Sequence, residues 1–357
     1  MLAAGGALVA SCASGTQPRA TPAKAPLDEL LAAHADALPE VAGAGANHDP
    51  MAAEALEALG HPEAIEGARS AGAQGCAGAP PRVAPIDDPD AALGDWACYG
   101  DWLELFRGEI AREPWRAVLA RWTPRLAPGV SAAVFHGLIR TAHAVRALHS
   151  RETPERRGEL AVGLAYWAAR YTPLAPAPDA PELSTPLSAL SNRWVDEDGD
   201  LDFGRVHARL ERAPVASAVG PTDLAAPALE QIERTVREAA GVFLEMLVLE
   251  RQRIWLLHTI TGPAAAALLV PELAPKDARA LATYARQASA ALVVAFGAPC
   301  TPGTHMRKNT STWNELTARA AASRSVHTIK LVEALSRFRA VDDALCRSVA
   351  AQWFEWV

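Results

Sequence analysis

Apolar residues recur three and four positions apart along most of this chain, the spacing of amphipathic helices. Leu27 to Leu38 puts Leu27, Leu30, Leu31 and Leu38 on or near one face. Met51 to Leu59 is a second, short helix that Gly60 ends. Trp96 to Glu113 carries Trp102, Leu105, Phe106 and Ile110 in its stripe, and Pro114 opens the next helix, as suits proline in a first turn. Ser131 is read as the N-cap of a long helix through Leu148, and Pro154 starts another to about Tyr171. The second half predicts helices from Thr222 or Asp223 through Leu249, from Arg251 to Thr261 with Gly262-Pro263 as the stop, and from Pro275 to Phe296. A last helical stretch, Trp313 to Ala351, is interrupted near Ser323 to Ser325.

No run of alternating polar and apolar residues marks a sheet, and no period repeats. The expected fold is therefore all-α: a multi-helix, bundle-like array with a metal site between helices. Residues 1–26 read as a flexible leader and 27–357 as one helical domain. Proline-rich residues 173–186 could join two lobes, and 72–90 and 297–312 are long connections.

Composition agrees. Of 357 residues, 50% are apolar and 21% charged, enough to build a core. The net charge of −7 and the lack of a basic stripe exclude nucleic acid as an expected partner. The five cysteines are widely spaced and form no CxxC, so they read as reduced thiols. No membrane-spanning stretch is expected. Leu8-Val9-Ala10-Ser11-Cys12 resembles a lipoprotein cleavage box, but no Lys or Arg precedes it. A cytoplasmic protein is expected, with export through Cys12 as the alternative.

The histidines change the picture. His34, His61, His149 and His207 sit among charged or turn residues and read as solvated. His136 and His258 lie in apolar segments, where a lone histidine is more often a hydrogen-bonded core residue than a ligand. Gly137 allows a close approach beside His136. His48 precedes a helix start, where Asn47 or Asp49 could cap. His327 and Lys330 share a helix face; Lys330 either snorkels to water or, if buried, has its pKa lowered. Imidazole suits iron, zinc, copper or nickel, and helical scaffolds build metal sites from facing helices. HExxH, ExxH, GxGxxG, Walker and GxSxG patterns are all missing, which leaves zincin protease, di-iron, dinucleotide, nucleotide and serine-hydrolase readings without support.

Five segments together resemble the questin oxidase-like family. They are Asn47-His48-Asp49-Pro50-Met51 through Gly60, Gly94-Asp95-Trp96 with Leu103, Phe106 and Arg107, and Phe135-His136-Gly137-Leu138-Ile139-Arg140-Thr141 with Leu164-Ala165-Tyr166-Trp167. Leu257-His258-Thr259-Ile260-Thr261-Gly262 and His327-Thr328-Ile329-Lys330-Leu331-Val332-Glu333-Ala334 follow in order. The resemblance implies a helical oxygenase of secondary metabolism that oxidises or cleaves a ring of an anthraquinone-like polyketide with dioxygen. It implies NADPH as co-substrate in some members, no flavin, and a mononuclear non-haem iron (Fe2+). Carried over residue by residue, the ligands would be His48, His136, His258 and His327, with Lys330, as its neutral amine or carboxylated to a carbamate, as the fifth group.

Some residues fall outside the pattern. His143, seven residues after His136 and on the same face, stands where an aromatic is more usual; it is either a partner standing behind the metal ligands or, as preferred here, a half-buried polar residue. Arg140 would hold an anionic phenolate or form a salt bridge. Tyr166 and Trp167 would line the pocket or pack the core. His305, in a Gly/Pro loop, has no assigned role. The alternatives are a helical binding or scaffold protein without catalysis, and a zinc-dependent hydrolase.

Overall fold

The computed structural model describes residues 24–41, 45–69, 83–175, 182–190, 206, 210, 213, 226–249, 253–297 and 309–356. Residues 1–23 of the expected leader, Cys12 among them, lie outside these, as do Cys76, Cys300, His207, His305, Thr222 and Asp223; Pro26, the last residue of that leader, already belongs to the first helix. Helices dominate: α1 (Pro26–His34), α2 (Asp49–Leu59), α3 (Tyr99–Arg112), α4 (Trp115–Leu126), α5 (His136–Ser150), α6 (Pro154–Ala169), α7 (Ala228–Leu249), α8 (His258–Leu269), α9 (Pro275–Phe296), α10 (Trp313–Ser323), α11 (Val326–Arg337) and α12 (Asp343–Trp356). Among the described residues the one ladder between strands is tiny: β1 (Glu40–Val41) pairs antiparallel with β2 (Gly45–Ala46), with Glu40 opposite Ala46. The all-α expectation holds.

Local chemistry explains most helix ends. Proline opens α1, α2, α6 and α9, where its missing N–H leaves no bond unmade. Thr153 caps α6, Ser325 caps α11, and Thr312 with Glu315 forms a capping box on α10. Gly60, at φ +83°, ends α2 in the left-handed region. The break expected near Ser323 is made by Arg324, at φ +56°. A second break, around Phe338, separates α11 from α12 and was not foreseen.

Two helix starts differ from expectation. Ser131 does not cap α5; its hydroxyl donates to the Thr172 carbonyl at 2.5 Å. The chain instead makes a left-handed turn through Ala133, Val134 and Phe135 (φ +48°, +55°, +68°), and α5 begins at His136. The helix read from Arg251 to Thr261 is also displaced. A short turn, Arg253–Leu256, precedes α8, which begins at His258 and carries Gly262 and Pro263 inside it. The segment Ile254–Glu272 is long and apolar enough to cross a membrane by length and composition, a property not expected from the sequence reading. It packs against α5, α7, α9 and α11, and an all-round apolar helix is what such a core position requires.

Four helices close a ring of contacts: α2 on α5, α5 on α8, α8 on α11, and α11 on α2. Helix α6 buttresses α5 from outside and α3 packs on α6, while α7 and α9 buttress α8. The α5–α6 approach is close. A Cβ on Gly137 would stand 2.6 Å from the Trp167 Cα, and one on Gly163 would stand 2.8 Å from the Thr141 backbone. Gly137 thus serves helix packing, not ligand access.

Candidate metal centre

Each helix of the ring starts at a histidine. His48 is the N-cap of α2, His136 and His258 are the first residues of α5 and α8, and His327 is the second residue of α11. The four imidazoles meet in the order of their helices. Ring centroids stand 4.7 Å apart for His48 and His136, and 4.7 Å for His136 and His258. They are 6.2 Å apart for His258 and His327, and 4.4 Å for His327 and His48. Lys330, almost one turn along α11 from His327, reaches His48 Nδ1 at 2.6 Å. All five residues singled out by the sequence therefore converge.

Two rings are locked by backbone carbonyls. His136 Nδ1 lies 2.5 Å from the Ala133 carbonyl, and His258 Nδ1 lies 2.9 Å from that of Ile254. A carbonyl can only accept, so each Nδ1 carries the proton and each Nε2 carries a lone pair. Those two Nε2 atoms stand 3.3 Å apart. Two lone pairs so placed repel unless a cation lies between them. Nitrogens bound to one ion at about 2.0–2.1 Å stand roughly 3.0–3.4 Å apart, as its coordination angle dictates.

The left-handed turn before α5 is what puts the Ala133 carbonyl under the His136 ring. Backbone of this kind costs about 1–3 kcal/mol per non-glycine residue, and Ala133, Val134 and Phe135 are all fully buried. The Phe135 ring seats on Gly262 of α8, where a Cβ would come within 2.5 Å of it. Turn and helix are thereby fitted to one another next to the two opposed rings.

His136, His258 and Lys330 are buried. His48 and His327 keep part of their surface accessible despite dense surroundings, so free space adjoins the cluster on their side. Burial pushes all four imidazole pKa values down, with Lys330 and neighbouring rings adding to the effect, His258 reaching about 3. Burial lowers Lys330 from 10.5 to about 7. Four helix N-termini, each with a partial positive charge, act in the same direction. The donor set is thus five nitrogens held largely neutral, as cation binding requires.

A pH dependence follows for the metal-free protein. The folded-state pKa values of His34, His48, His136, His143, His258 and His327 all lie below 6.5. Unfolding therefore takes up protons below pH 6.5, and between about pH 7 and 10.5 through Lys330. Stability is full above these unfolded-state values and falls as pH drops through each window. Urea unfolding in the presence of chelator should lose more than about 1.4 kcal/mol per pH unit below pH 6.5, the slope of a single proton. A flat profile between pH 7 and 5 would contradict neutral burial of these rings.

Other expectations need correction. Arg140 is engaged by Glu159, with Nε to Oε1 at 2.6 Å and Nη2 to Oε2 at 3.0 Å, which supports the salt-bridge alternative. Its Nη1 and the buried Tyr99 hydroxyl have no hydrogen-bond partner among the described residues. His143 is not half-buried but buried, donating from Nδ1 to Glu54 at 2.5 Å. His34 is not solvated; it is buried, 3.1 Å from the Asn47 amide and 3.8 Å from Asp49. Lys330 does not snorkel. Asn47 accepts from the Asp49 N–H but makes no cap on His48. Tyr166 and Trp167 are core residues.

Sequence reasoning missed Glu54, Arg146, Glu333 and Arg337, buried or partly buried charges behind the site. The only available signal was charged residues inside apolar helix faces. Among the described residues, no group of three or more His, Cys, Asp and Glu side chains is placed so that it could hold a metal ion; His48 Nδ1, for one, is engaged with Lys330. Comparison with protein-family models, curated proteins and solved structures finds no match for this chain.

Proposed function

We propose that this protein is a metal-dependent oxygenase whose ion, iron for preference, is held between the ring helices. The observation that carries the reading is the pair of opposed Nε2 lone pairs on His136 and His258, 3.3 Å apart. Their orientation is forced by the two carbonyls behind them. His48, His327 and Lys330 would complete the donor set, Lys330 as a neutral amine or as its carbamate. Iron, dioxygen and a polycyclic aromatic substrate rest on the sequence resemblance, as does NADPH as a possible co-substrate. The structure favours no particular metal, since imidazole also suits zinc.

A bound ferrous ion would supply the electron that ground-state dioxygen needs. The chain's own residues do the rest. The buried side formed by His136, His258 and Lys330 excludes water. The accessible side, at His48 and His327, is where substrate and dioxygen would approach.

The test is metal content after anaerobic iron supplementation, followed by oxygen uptake with a hydroxyanthraquinone, with and without NADPH. About one equivalent of iron and substrate-dependent uptake are expected. Less than about a tenth of an equivalent of any transition metal, against the full occupancy a closed donor set should reach, would leave a scaffold protein. Zinc alone, without oxygen uptake, would point to a hydrolase.

A further inference from the structure

A second tier of bonds lies behind the histidine ring, at nearly the same depth on all four helices. Glu54 is six residues after His48 on α2, and His143 is seven after His136 on α5. Ala264 is six after His258 on α8, and Glu333 is six after His327 on α11. At 1.5 Å per residue each lies about 9–10.5 Å along its helix from the residue that carries the corresponding imidazole. These residues are joined. Glu54 accepts from His143 at 2.5 Å and from Arg146 Nε and Nη2 at 2.7 and 2.6 Å. Arg146 Nη1 also donates to Glu333. Glu333 accepts from Arg337 Nε at 2.7 Å, and Arg337 Nη1 donates to the Ala264 carbonyl at 2.7 Å. One continuous chain of bonds therefore runs from α2 to α5, α11 and α8, the four helices that carry the histidines.

We infer that Glu54, His143, Arg146, Glu333 and Arg337 are positioning residues for the metal centre: they lock the four helices in register and so set the spacing of the imidazoles. The inference rests on the metal reading above. Its physical basis is that a helix moves nearly as a rigid rod over two turns. A shift of α8 against α11 at the second tier therefore moves His258 against His327 by a similar amount. Glu54 and Glu333 are buried, and each is held ionised by arginine. Burial pushes both carboxyl pKa values up, but Arg146, with Arg337 at Glu333 and His143 at both, brings them below the ordinary value. The bonds are charge-assisted and bidentate at Glu54, the type that fixes direction as well as distance. General fold stability could be served by any buried pair. What points to the site is that the tier engages the four ring helices at matched depth.

The experiment uses cobalt(II) as the probe, titrated into metal-free protein and read by its visible ligand-field bands and by its dissociation constant. The variants are Glu333→Gln, at the centre of the tier, and Arg337→Gln, which removes the link to α8 at a side chain 22% exposed and is the milder change. Leu119→Ala, in the core of α4, is the control that destabilises the fold away from the tier. Wild type should bind one equivalent. Both tier variants should lose about 10–100-fold in affinity with altered band positions, while their far-ultraviolet circular dichroism stays native. Leu119→Ala should keep wild-type affinity and bands. Folded Arg337→Gln with affinity within twofold of wild type and unchanged bands would overturn the inference alone, as would an equal loss in Leu119→Ala. Failure of the wild type to bind cobalt would overturn the inference together with the metal reading on which it rests.

Discussion

Lys330→Met should make the metal-free protein more stable and the metal-binding protein worse. Lys330 is 1% exposed, and its pKa falls from 10.5 to about 7 because burial penalises the ammonium. Holding it so displaced costs on the order of 4 kcal/mol near neutral pH. Methionine has a similar length and no charge to desolvate. The change strands His48 Nδ1, which Lys330 contacts at 2.6 Å, and a lost buried partner costs about 1–3 kcal/mol. The net expectation is a gain of about 1–3 kcal/mol in the unfolding free energy of metal-free protein at pH 7, since the first term is the larger. The gain should shrink as pH rises from 7 and be gone by pH 10.5, the unfolded-state value, where lysine loses its proton in the unfolded chain as well. Metal affinity should fall at least tenfold in the same variant, a stability–function trade-off of the ordinary kind. Urea titrations at pH 7 and 10.5 measure the first effect, and metal titration measures the second. A Lys330→Met protein less stable than wild type at pH 7 would mean that the lysine is a structural prop.

His258→Ala is expected to have the larger effect on the metal. It removes one of the two lone pairs that stand 3.3 Å apart. Changes behind a metal ligand already cost about 10–100-fold, so loss of a ligand should exceed 100-fold and leave little metal after purification. His136→Ala should do the same, and the double variant should be scarcely worse than either single one, because the two rings act on one ion. Metal content and dissociation constant are the measurements. Unchanged iron content in His258→Ala would remove that ring from the site, and additive losses would mean that the two rings bind separately.

Much of the candidate site was legible because its residues sit in unusual local settings. His136 and His258 are histidines within apolar segments, and Lys330 lies between leucines, valine and alanine. Such settings suggest burial, but burial alone leaves a core histidine and a ligand equally in view. His48 and Lys330 came in through the family resemblance, and the structure brings both to the cluster. The second tier was not legible. Glu54, Arg146, Glu333 and Arg337 look like charges on helix surfaces until their partners, 89 to 187 residues distant for Glu54 and Arg146, are known.

The chain by itself determined the all-α class, the helix starts marked by proline, and the residues with chemistry to offer. Those features depend on spacing and on neighbours within a few residues, which a sequence displays directly. The tertiary structure decided where α5 and α8 begin. Nothing local favours a left-handed backbone at Ala133, Val134 and Phe135, and a proline inside α8 argues against the helix that forms there. Burial of Phe135 against Gly262 and of α8 among its neighbours outweighs both preferences. That outcome brings two imidazoles face to face, so the convergence of the histidines is a property of packing between distant segments, which no spacing along the chain can specify.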